Sequence, residues 1–323
     1  MPEVADDVNF FEICCDGNIA ESMACVWRIV APKPNKTPTI FSTPTHLSPS
    51  LPTYTQQTNA YSCKIIKSMS DGNGNENKVV VVTGGTRGIG KAIAAQAIEA
   101  GHPVIITYRS DAVVGEEALG ELSVDGARVA LLEFDVTAFA TFEAFAASVA
   151  TQVTEWGGQL WGIVNNGGLA TAHTLDATTE EQFDLMSNIH FKGPFFLVQA
   201  LLSTLADNGR IVNITSGLSR FTIPGYGPYG AAKAALDQLT RYQAKELGPR
   251  GITANAVAPG VIATRLSADF RSTDQGLATA KAMSALNRVG EPDDVAAAVV
   301  FLLSPSARHI TGERLEVSGG SIL

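Results

Sequence analysis

Cysteine is missing from most of this 323-residue chain. All four cysteines lie before residue 64. A disulfide framework therefore cannot stabilise the later part, and a reducing compartment suits it. Glycine shows the opposite distribution, because only one of the 30 glycines precedes Gly72. The two distributions divide the chain into a front segment and a glycine-rich body.

Charged residues are also few, and long apolar runs are absent. The charged fraction of 17% is below the ~25% typical of soluble domains, which favours a well-filled core over a disordered chain. The net charge of −9 argues against a general nucleic-acid binder, because the surfaces that face phosphates are usually basic. No apolar run approaches the ~18–20 residues that cross a bilayer, so no membrane span is expected.

The front segment has two halves of opposite charge. Residues 1–22 contain six acidic residues and no basic one, whereas residues 23–70 contain five basic residues and no acidic one. Residues 37–58 are rich in Thr, Pro and Ser without an apolar period, which predicts disorder. Three interpretations stay open: a flexible tail, an organelle presequence that starts at Met23, or an extension upstream of a protein that begins at Met69.

From residue 78 onward, short β-branched runs alternate with helical patterns. Strands are predicted at residues 78–83, 104–108, 129–134, 162–165, 210–214, 253–257 and 314–317. Helical patterns between them include residues 88–100, 138–155, 180–205, 229–247 and 292–303. Strands that are apolar throughout indicate a parallel sheet with helices on both faces.

The expected organisation is therefore an N-terminal low-complexity extension over residues 1–76 and a single α/β domain over residues 77–323. That domain is predicted to be a doubly wound sheet of Rossmann type with about seven strands. In such a sheet, ligands bind in a crevice at the carboxyl ends of the strands.

The first predicted strand runs into a glycine-rich turn between Thr83 and Gly90. Glycines in this position let the backbone approach a pyrophosphate, and the free amides of the following helix face the phosphates. Three residues separate the first and second key glycines, where the common dinucleotide fingerprint has one. The candidate cofactor contacts in the turn are Gly84, Thr86, Arg87, Gly88, Ile89 and Gly90.

This turn and the motifs after it resemble the short-chain dehydrogenases/reductases. The matching residues keep the family order, and they are Asp135, Val136, Asn165, Asn166, Gly167, Gly168, Ser216, Tyr229, Lys233, Pro259, Gly260, Ile262 and Thr264. Gly167 stands where the family has Ala. The resemblance covers about residues 78–323 and is specific, because several motifs agree in order and spacing.

The resemblance implies which residues touch a nicotinamide cofactor. Asp135 and Val136 would contact the adenine, and Asn165 with Gly167 would form part of the cofactor wall. The segment that contains Pro259, Gly260, Ile262 and Thr264 would hold the nicotinamide carboxamide.

The end of the second strand indicates which cofactor is preferred. An acidic residue there would bind the ribose hydroxyls of NAD, but the sequence has Tyr108 followed by Arg109. A guanidinium can bind the 2′-phosphate of NADP, and Arg87 can add a second positive contact. We therefore expect NADP (NADPH) as the preferred cofactor. Asp111 lies nearby and keeps NAD as the alternative.

Tyr229 and Lys233 are four residues apart, so they share one face of a helix. A free phenol has a pKa of ~10, and a nearby ammonium lowers it. Tyr229 can then exchange a proton with a carbonyl or alcohol oxygen, which Ser216 can polarise. The resemblance implies the same roles and adds hydrogen bonds from Lys233 to the nicotinamide ribose. Ser219 is the nearest rival of Ser216, but the family spacing to Tyr229 favours Ser216.

One position, His190, departs from the family pattern. The family usually has a catalytic Asn in a segment of the form Asn-x-Lys-Gly, and here His190 takes its place before Lys192 and Gly193. In the family, the main-chain carbonyl at this site helps to hold a water of the proton relay. Two interpretations of the His190 ring stay open: a further catalytic member of that relay, or a packed side chain whose backbone alone takes part.

The sequence therefore predicts an NADP-dependent oxidoreductase that transfers a hydride between nicotinamide and a carbonyl or secondary alcohol. The alternatives are a 3-oxoacyl-thioester reductase of the same family and a nucleotide-binding regulator without turnover. We expect a small-molecule substrate, a homotetramer or homodimer, no nucleic-acid or membrane partner, and no metal, since the histidines are scattered. The expected compartment is the cytoplasm, or a mitochondrion or plastid if the segment from Met23 acts as a presequence.

Overall fold

The computed structural model describes residues 74–322. The predicted extension over residues 1–76 lies outside the described residues except for its last three, and so do the candidate starts at Met23 and Met69. Within residues 74–322, no helix combines the length and apolar character needed to span a bilayer.

Seven strands in the described range form one parallel sheet. They are β1 (Lys78–Val82), β2 (Val104–Tyr108), β3 (Val129–Glu133), β4 (Gln159–Asn165), β5 (Leu205–Ile214), β6 (Thr253–Pro259) and β7 (Arg314–Val317). The helices are α1 (Gly88–Glu99), α2 (Ala112–Leu122), α3 (Phe142–Glu155), α4 (Glu180–Ser187), α5 (Gly193–Leu201), α6 (Gly227–Leu247), α7 (Asp274–Ala282) and α8 (Pro292–Leu303). The predicted doubly wound α/β fold is confirmed.

The strand order is β3-β2-β1-β4-β5-β6-β7, so the direction of winding reverses between β1 and β4. Val80 of β1 pairs with Val104 of β2 on one side and with Gly162 of β4 on the other. Because the helices that follow β1 and β4 lie on opposite faces of the sheet, a crevice opens beyond the carboxyl ends of these two strands. This switch point positions the candidate site.

Alternate residues of β1 serve two different cores, as expected for a strand that is buried on both faces. Val80 and Val82 pack in a cluster that includes Ile93 of α1 and Val299 of α8. Val79 and Val81 pack in a second cluster, on residues of α3 and α5 such as Val149 and Leu197. The helices thus cover both faces of the sheet.

The helix predicted over residues 180–205 is wrong in one respect, because it is interrupted. A π-helical turn, Asn188–Lys192, separates α4 from α5, and the amide of Gly193 donates to the carbonyl of Asn188. Pro194 has no N–H, so it cannot donate the usual α-helical bond to the His190 carbonyl. The chain also leaves the helix early, and β5 begins at Leu205, five residues before its predicted start.

Candidate active site

The glycine turn between β1 and α1 is built for close approach of another group. Gly84 and Gly88 have positive φ angles of 63° and 53°, which favour glycine. A Cβ atom on Gly90 would meet the Gly84 carbonyl oxygen and, at 2.5 Å, the Asn166 side chain. Arg87 at the N-cap of α1 makes no capping hydrogen bond, and the first turn carries no acidic residue. The turn and the helix amides therefore fit a diphosphate.

Side chains from the ends of three strands hold this turn in place. The Thr83 hydroxyl accepts from the amides of Asn166 (3.0 Å) and Gly167 (2.9 Å). In return, the Asn166 side chain donates to the carbonyls of Thr83 (2.9 Å) and Gly84 (3.3 Å). The Gly84 amide donates to the Thr107 hydroxyl at 3.1 Å. The carboxyl ends of β1, β2 and β4 thus meet at the switch point, and sequence reasoning assigned no role to Thr83 or Thr107.

Two charged residues, Arg109 and Asp111, follow the end of β2. Arg109 is exposed directly after the strand. Asp111 accepts a hydrogen bond from the Val114 amide and so caps α2. Its carboxylate also lies 3.9 Å from the Arg87 guanidinium, and both side chains are more than 40% exposed. Asp111 is therefore engaged as a helix cap, and Arg109 faces solvent.

Asp135 and Val136 follow β3, as predicted. The Asp135 carboxylate accepts from the amide (2.8 Å) and the hydroxyl (2.7 Å) of Thr137, which closes a tight turn. Val136 lies against Gly193, where an added Cβ would meet both the side chain and the carbonyl of Val136. The structure thus brings the turn after β3 onto the start of α5.

The segment after β6 returns over the glycine turn. The Gly260 amide donates to the Val317 carbonyl at 3.3 Å, and Ile262 is buried and pairs with Gly290. The Thr264 side chain lies so near Gly88 that a Cβ there would meet its Cγ2 at 3.3 Å. The predicted contacts for the diphosphate and for the nicotinamide are therefore close together.

Ser216, Tyr229 and Lys233 come together beyond the end of β5. Ser216 has an extended backbone, and its hydroxyl oxygen accepts from the Leu218 amide at 3.2 Å and hydrogen-bonds Tyr229. Tyr229 and Lys233 project from the first turns of α6 and are 8% and 5% exposed. The Lys233 ammonium donates to the Ile214 carbonyl at 2.6 Å and lies 5.8 Å from the centre of the Tyr229 ring.

Burial shifts the pKa values of both Tyr229 and Lys233. Burial raises the pKa of Tyr229, and the hydrogen bond from Ser216 opposes the rise. Burial lowers the pKa of Lys233 to about 7, and the negative charge of Asp237 opposes the fall. The lowering of the Tyr229 pKa that the sequence predicts is therefore not found, because desolvation of the phenolate raises this pKa instead.

The His190 ring is packed inside the site and is 2% exposed. Its Nε2 lies 2.6 Å from the Leu169 carbonyl oxygen, and its ring meets that of Tyr229 edge-on at 4.9 Å. Burial and the charge of Lys233 keep the His190 pKa well below its usual value, so the ring is neutral. Because the carbonyl can only accept, Nε2 carries the hydrogen and Nδ1 is an acceptor. Nδ1 is buried without a partner among the described residues.

Asn165 belongs to a buried polar network that sequence reasoning did not find. Its side chain donates to the Asn213 side chain at 2.7 Å. Asn213 in turn donates to Thr240 (2.8 Å) and Gln243 (2.9 Å) on α6. The network ties β4, β5 and α6 together behind the catalytic candidates. The sequence carried one signal for this network, namely polar residues at inner positions of apolar strands.

Comparisons with known proteins agree with this geometry. A family model described as enoyl-(acyl carrier protein) reductase matches residues 84–321. The chain is 36% identical over 248 residues to the 3-oxoacyl-[acyl-carrier-protein] reductase FabG of Vibrio harveyi, which covers 76% of this chain and 97% of that protein. It is 35% identical over 252 residues to the short-chain dehydrogenase/reductase FrzI of Cladobotryum sp, with 76% and 96% covered.

The chain belongs to the short-chain dehydrogenase/reductase family. A solved structure of the family, the angucycline C-6 ketoreductase LanV with bound NADP, is 34% identical and superposes with a TM-score of 0.72. The superposed region covers 76% of this chain and 96% of the LanV chain. The predicted short-chain dehydrogenase/reductase family and the predicted enzyme class, an oxidoreductase, are confirmed.

No metal centre adds to this short-chain dehydrogenase/reductase site in the part of the chain that the structure describes. No group of three His, Cys, Asp or Glu side chains between residues 74 and 322 could hold a metal ion.

Proposed function

We propose that the protein is an NADP-dependent reductase that interconverts a small carbonyl compound and its secondary alcohol. The observation that carries this proposal is the meeting of Ser216, Tyr229 and Lys233 beside the glycine turn. NADPH supplies the hydride when it is bound. The glycine turn and the amides of α1 would hold its diphosphate, and the segment that contains Ile262 and Thr264 would hold its nicotinamide.

The chain's own residues then move one proton and hold one oxygen. Tyr229 donates its hydroxyl proton to the carbonyl oxygen of the substrate during reduction, and it takes the proton back during oxidation. The Ser216 hydroxyl oxygen accepts from the Leu218 amide, and its single hydrogen can turn from Tyr229 to the same substrate oxygen. The Lys233 ammonium favours the phenolate of Tyr229 once the proton has left.

NADP is supported as the preferred cofactor by the residues at the end of β2. Arg109 is exposed there, and Asp111 is engaged as the cap of α2. A helix-capping aspartate is poorly placed to bind ribose hydroxyls, which disfavours the NAD alternative. The related LanV structure holds NADP.

Two substrate classes remain, and each has a named relative. LanV is a ketoreductase, and FabG of Vibrio harveyi is a 3-oxoacyl-[acyl-carrier-protein] reductase. A panel of cyclic ketones, aldehydes, quinones and 3-oxoacyl thioesters, assayed with NADPH and with NADH, separates the two. Preferred turnover of the thioesters would move the assignment to the 3-oxoacyl alternative.

Replacing Tyr229 tests the proposed chemistry. Tyr229→Phe removes the proton donor but keeps the ring, so we expect carbonyl-dependent oxidation of NADPH to fall at least ~100-fold, in line with the usual contribution of general acid catalysis. NADPH binding, measured by fluorescence titration, should stay within about threefold. Tyr226→Phe, which alters a ring 6.4 Å from that of Tyr229, is the matched control and should keep its activity.

Persistent turnover in Tyr229→Phe would overturn the mechanism. If the wild-type protein binds NADPH but reduces nothing in the panel, the non-catalytic regulator becomes the better assignment.

We further propose a homo-oligomer in which a second copy covers the outer face of α5 and α6. An apolar groove between these helices includes Phe195 and Tyr242, which are 41% and 58% exposed. Large exposed apolar patches are uncommon on monomers and mark interaction surfaces. The same face on a second copy would close the groove in a symmetric contact.

A cytoplasmic location stays a prediction, and so does the organelle alternative with a presequence from Met23. Mass spectrometry of the N-terminus of the native protein distinguishes them, because import would remove the basic segment.

A further inference from the structure

An ion pair lies behind Ser216 and Lys233, and the proposed reaction does not use it. Arg314, at the start of β7, donates from Nε to a carboxylate oxygen of Asp237 at 2.9 Å. The two side chains are 16% and 9% exposed. The same guanidinium donates from Nη2 to the Ser216 carbonyl oxygen at 3.0 Å. One arginine therefore connects Asp237 on α6 with the backbone of Ser216.

Asp237 is also a near neighbour of Lys233 along α6. It lies four residues after Lys233, which places both side chains on one face of α6. Both are buried, and the carboxylate opposes the effect of burial on the lysine. The other groups around Lys233 carry no negative charge, since His190 is neutral and burial keeps Tyr229 protonated.

Only one of the two carboxylate oxygens of Asp237 accepts hydrogen bonds from the described residues. Its Oδ2 accepts from Arg314 and from the Ser219 hydroxyl at 2.5 Å. Its Oδ1 is buried and has no hydrogen-bond partner among the described residues. An oxygen left unpaired in a buried site keeps a strong field on nearby charges, because little solvent screens it.

We propose that Asp237 is a positioning residue that keeps Lys233 in its ammonium form, and that Arg314 fixes Asp237 and Ser216 relative to each other. The roles of Ser216 and Lys233 in this proposal rest on the proposed function. The Arg314–Asp237 pair thus sets both the place of the serine and the charge of the lysine.

The direction of the effect follows from the charges. Without the carboxylate, the ammonium loses its attraction and the Lys233 pKa falls below about 7. Without the Arg314 guanidinium, Lys233 is no longer repelled by that cation, and the Asp237 carboxylate is no longer partly neutralised by it. The pKa of Lys233 therefore rises. A purely structural ion pair would give no such opposite shifts.

The test is the titration of Lys233 itself, followed by NMR of the ¹³Cε signal in the full chain labelled with ¹³C-lysine. Lys233→Arg identifies the signal. We expect Asp237→Asn to move the midpoint down by about one pH unit and Arg314→Met to move it up. Glu316→Gln is the matched control, because it removes an equal charge from the same Arg314, whose Nη1 lies 2.6 Å from Glu316. It should move the midpoint by less than about 0.3 pH units.

Equal midpoints in wild type and Asp237→Asn, or equal shifts in Asp237→Asn and Glu316→Gln, would overturn the proposal. If Asp237→Asn does not fold, the upward shift in Arg314→Met decides the question. The measurement needs no turnover, so failure of the proposed reaction in the Tyr229 experiment leaves this result independent.

Discussion

At the scale of single residues, Arg109 gives the most specific prediction about cofactor affinity. Its guanidinium is exposed beside the expected position of the adenosine ribose. A hydrogen bond to a charged group contributes about 1.5–3 kcal/mol, which corresponds to a factor of about 10–100 in affinity.

We therefore expect Arg109→Ala to raise the Kd for NADPH about 10–100-fold and to leave the Kd for NADH nearly unchanged, as measured by calorimetry. Arg308→Ala, at another exposed arginine, serves as the control and should alter neither value. Equal losses for the two nucleotides would remove Arg109 from the phosphate site.

Single residues also mark the limit of sequence reasoning. Ser216, Tyr229 and Lys233 were predictable because their spacing along the chain carries the signal. Arg314 and Asp237 were not, since 77 positions separate them and neither sits in a recognisable motif. Their contact exists only after β7 has joined the sheet beside β6. Long-range pairs of this kind need the fold before they can be found.

At the scale of elements, the face of α5 and α6 offers a test of assembly. Tyr242→Glu would place a charge in the middle of the proposed contact, where burying it without a partner is costly. We expect this variant to dissociate to a smaller species in light scattering, with a Tm that still shows a cooperative fold. Glu246→Gln, at the edge of the same groove, is the milder control and should keep the wild-type mass.

A wild-type protein that is already monomeric at micromolar concentration would contradict the oligomer proposal. An unchanged mass for Tyr242→Glu would show that the copies meet elsewhere.

Elements with a clear period were predicted well, and elements shaped by their neighbours were not. The strands of the body were found because each is a short apolar run bounded by turn residues. The break between α4 and α5 was missed because residues 180–205 keep a helical pattern across it. Pro194 and Gly193 were the available signals, since Gly193 lies tightly against Val136 and Pro194 lacks the amide that would continue the α-helix.

At the scale of the whole molecule, we propose that the functional unit begins near Met69. Asn75 is already buried, and its side chain donates to the Ala100 carbonyl at 3.0 Å. Its side-chain oxygen also accepts from Lys78 at 3.2 Å. The predicted boundary after residue 76 therefore lies slightly inside the packed part of the chain.

We expect a chain that starts at Met69 to match the full chain in Tm and in kcat with NADPH. A chain that starts at Asn77 should lose about 0.5–1.5 kcal/mol of unfolding free energy in urea titrations, because the hydrogen bond from Asn75 to the Ala100 carbonyl is lost. A lower kcat for the Met69 start would assign the first 68 residues a part in catalysis.

The contact between His190 and Gly168 has a consequence for the history of the protein. A Cβ atom at position 168 would meet the Cε1 atom of the His190 ring at 2.6 Å, which is too close for both to persist. A larger residue can therefore be accepted at position 168 only if the His190 ring moves or a smaller side chain replaces it. The large ring at position 190 thus restricts position 168, whereas a smaller residue at 190 is compatible with glycine at 168.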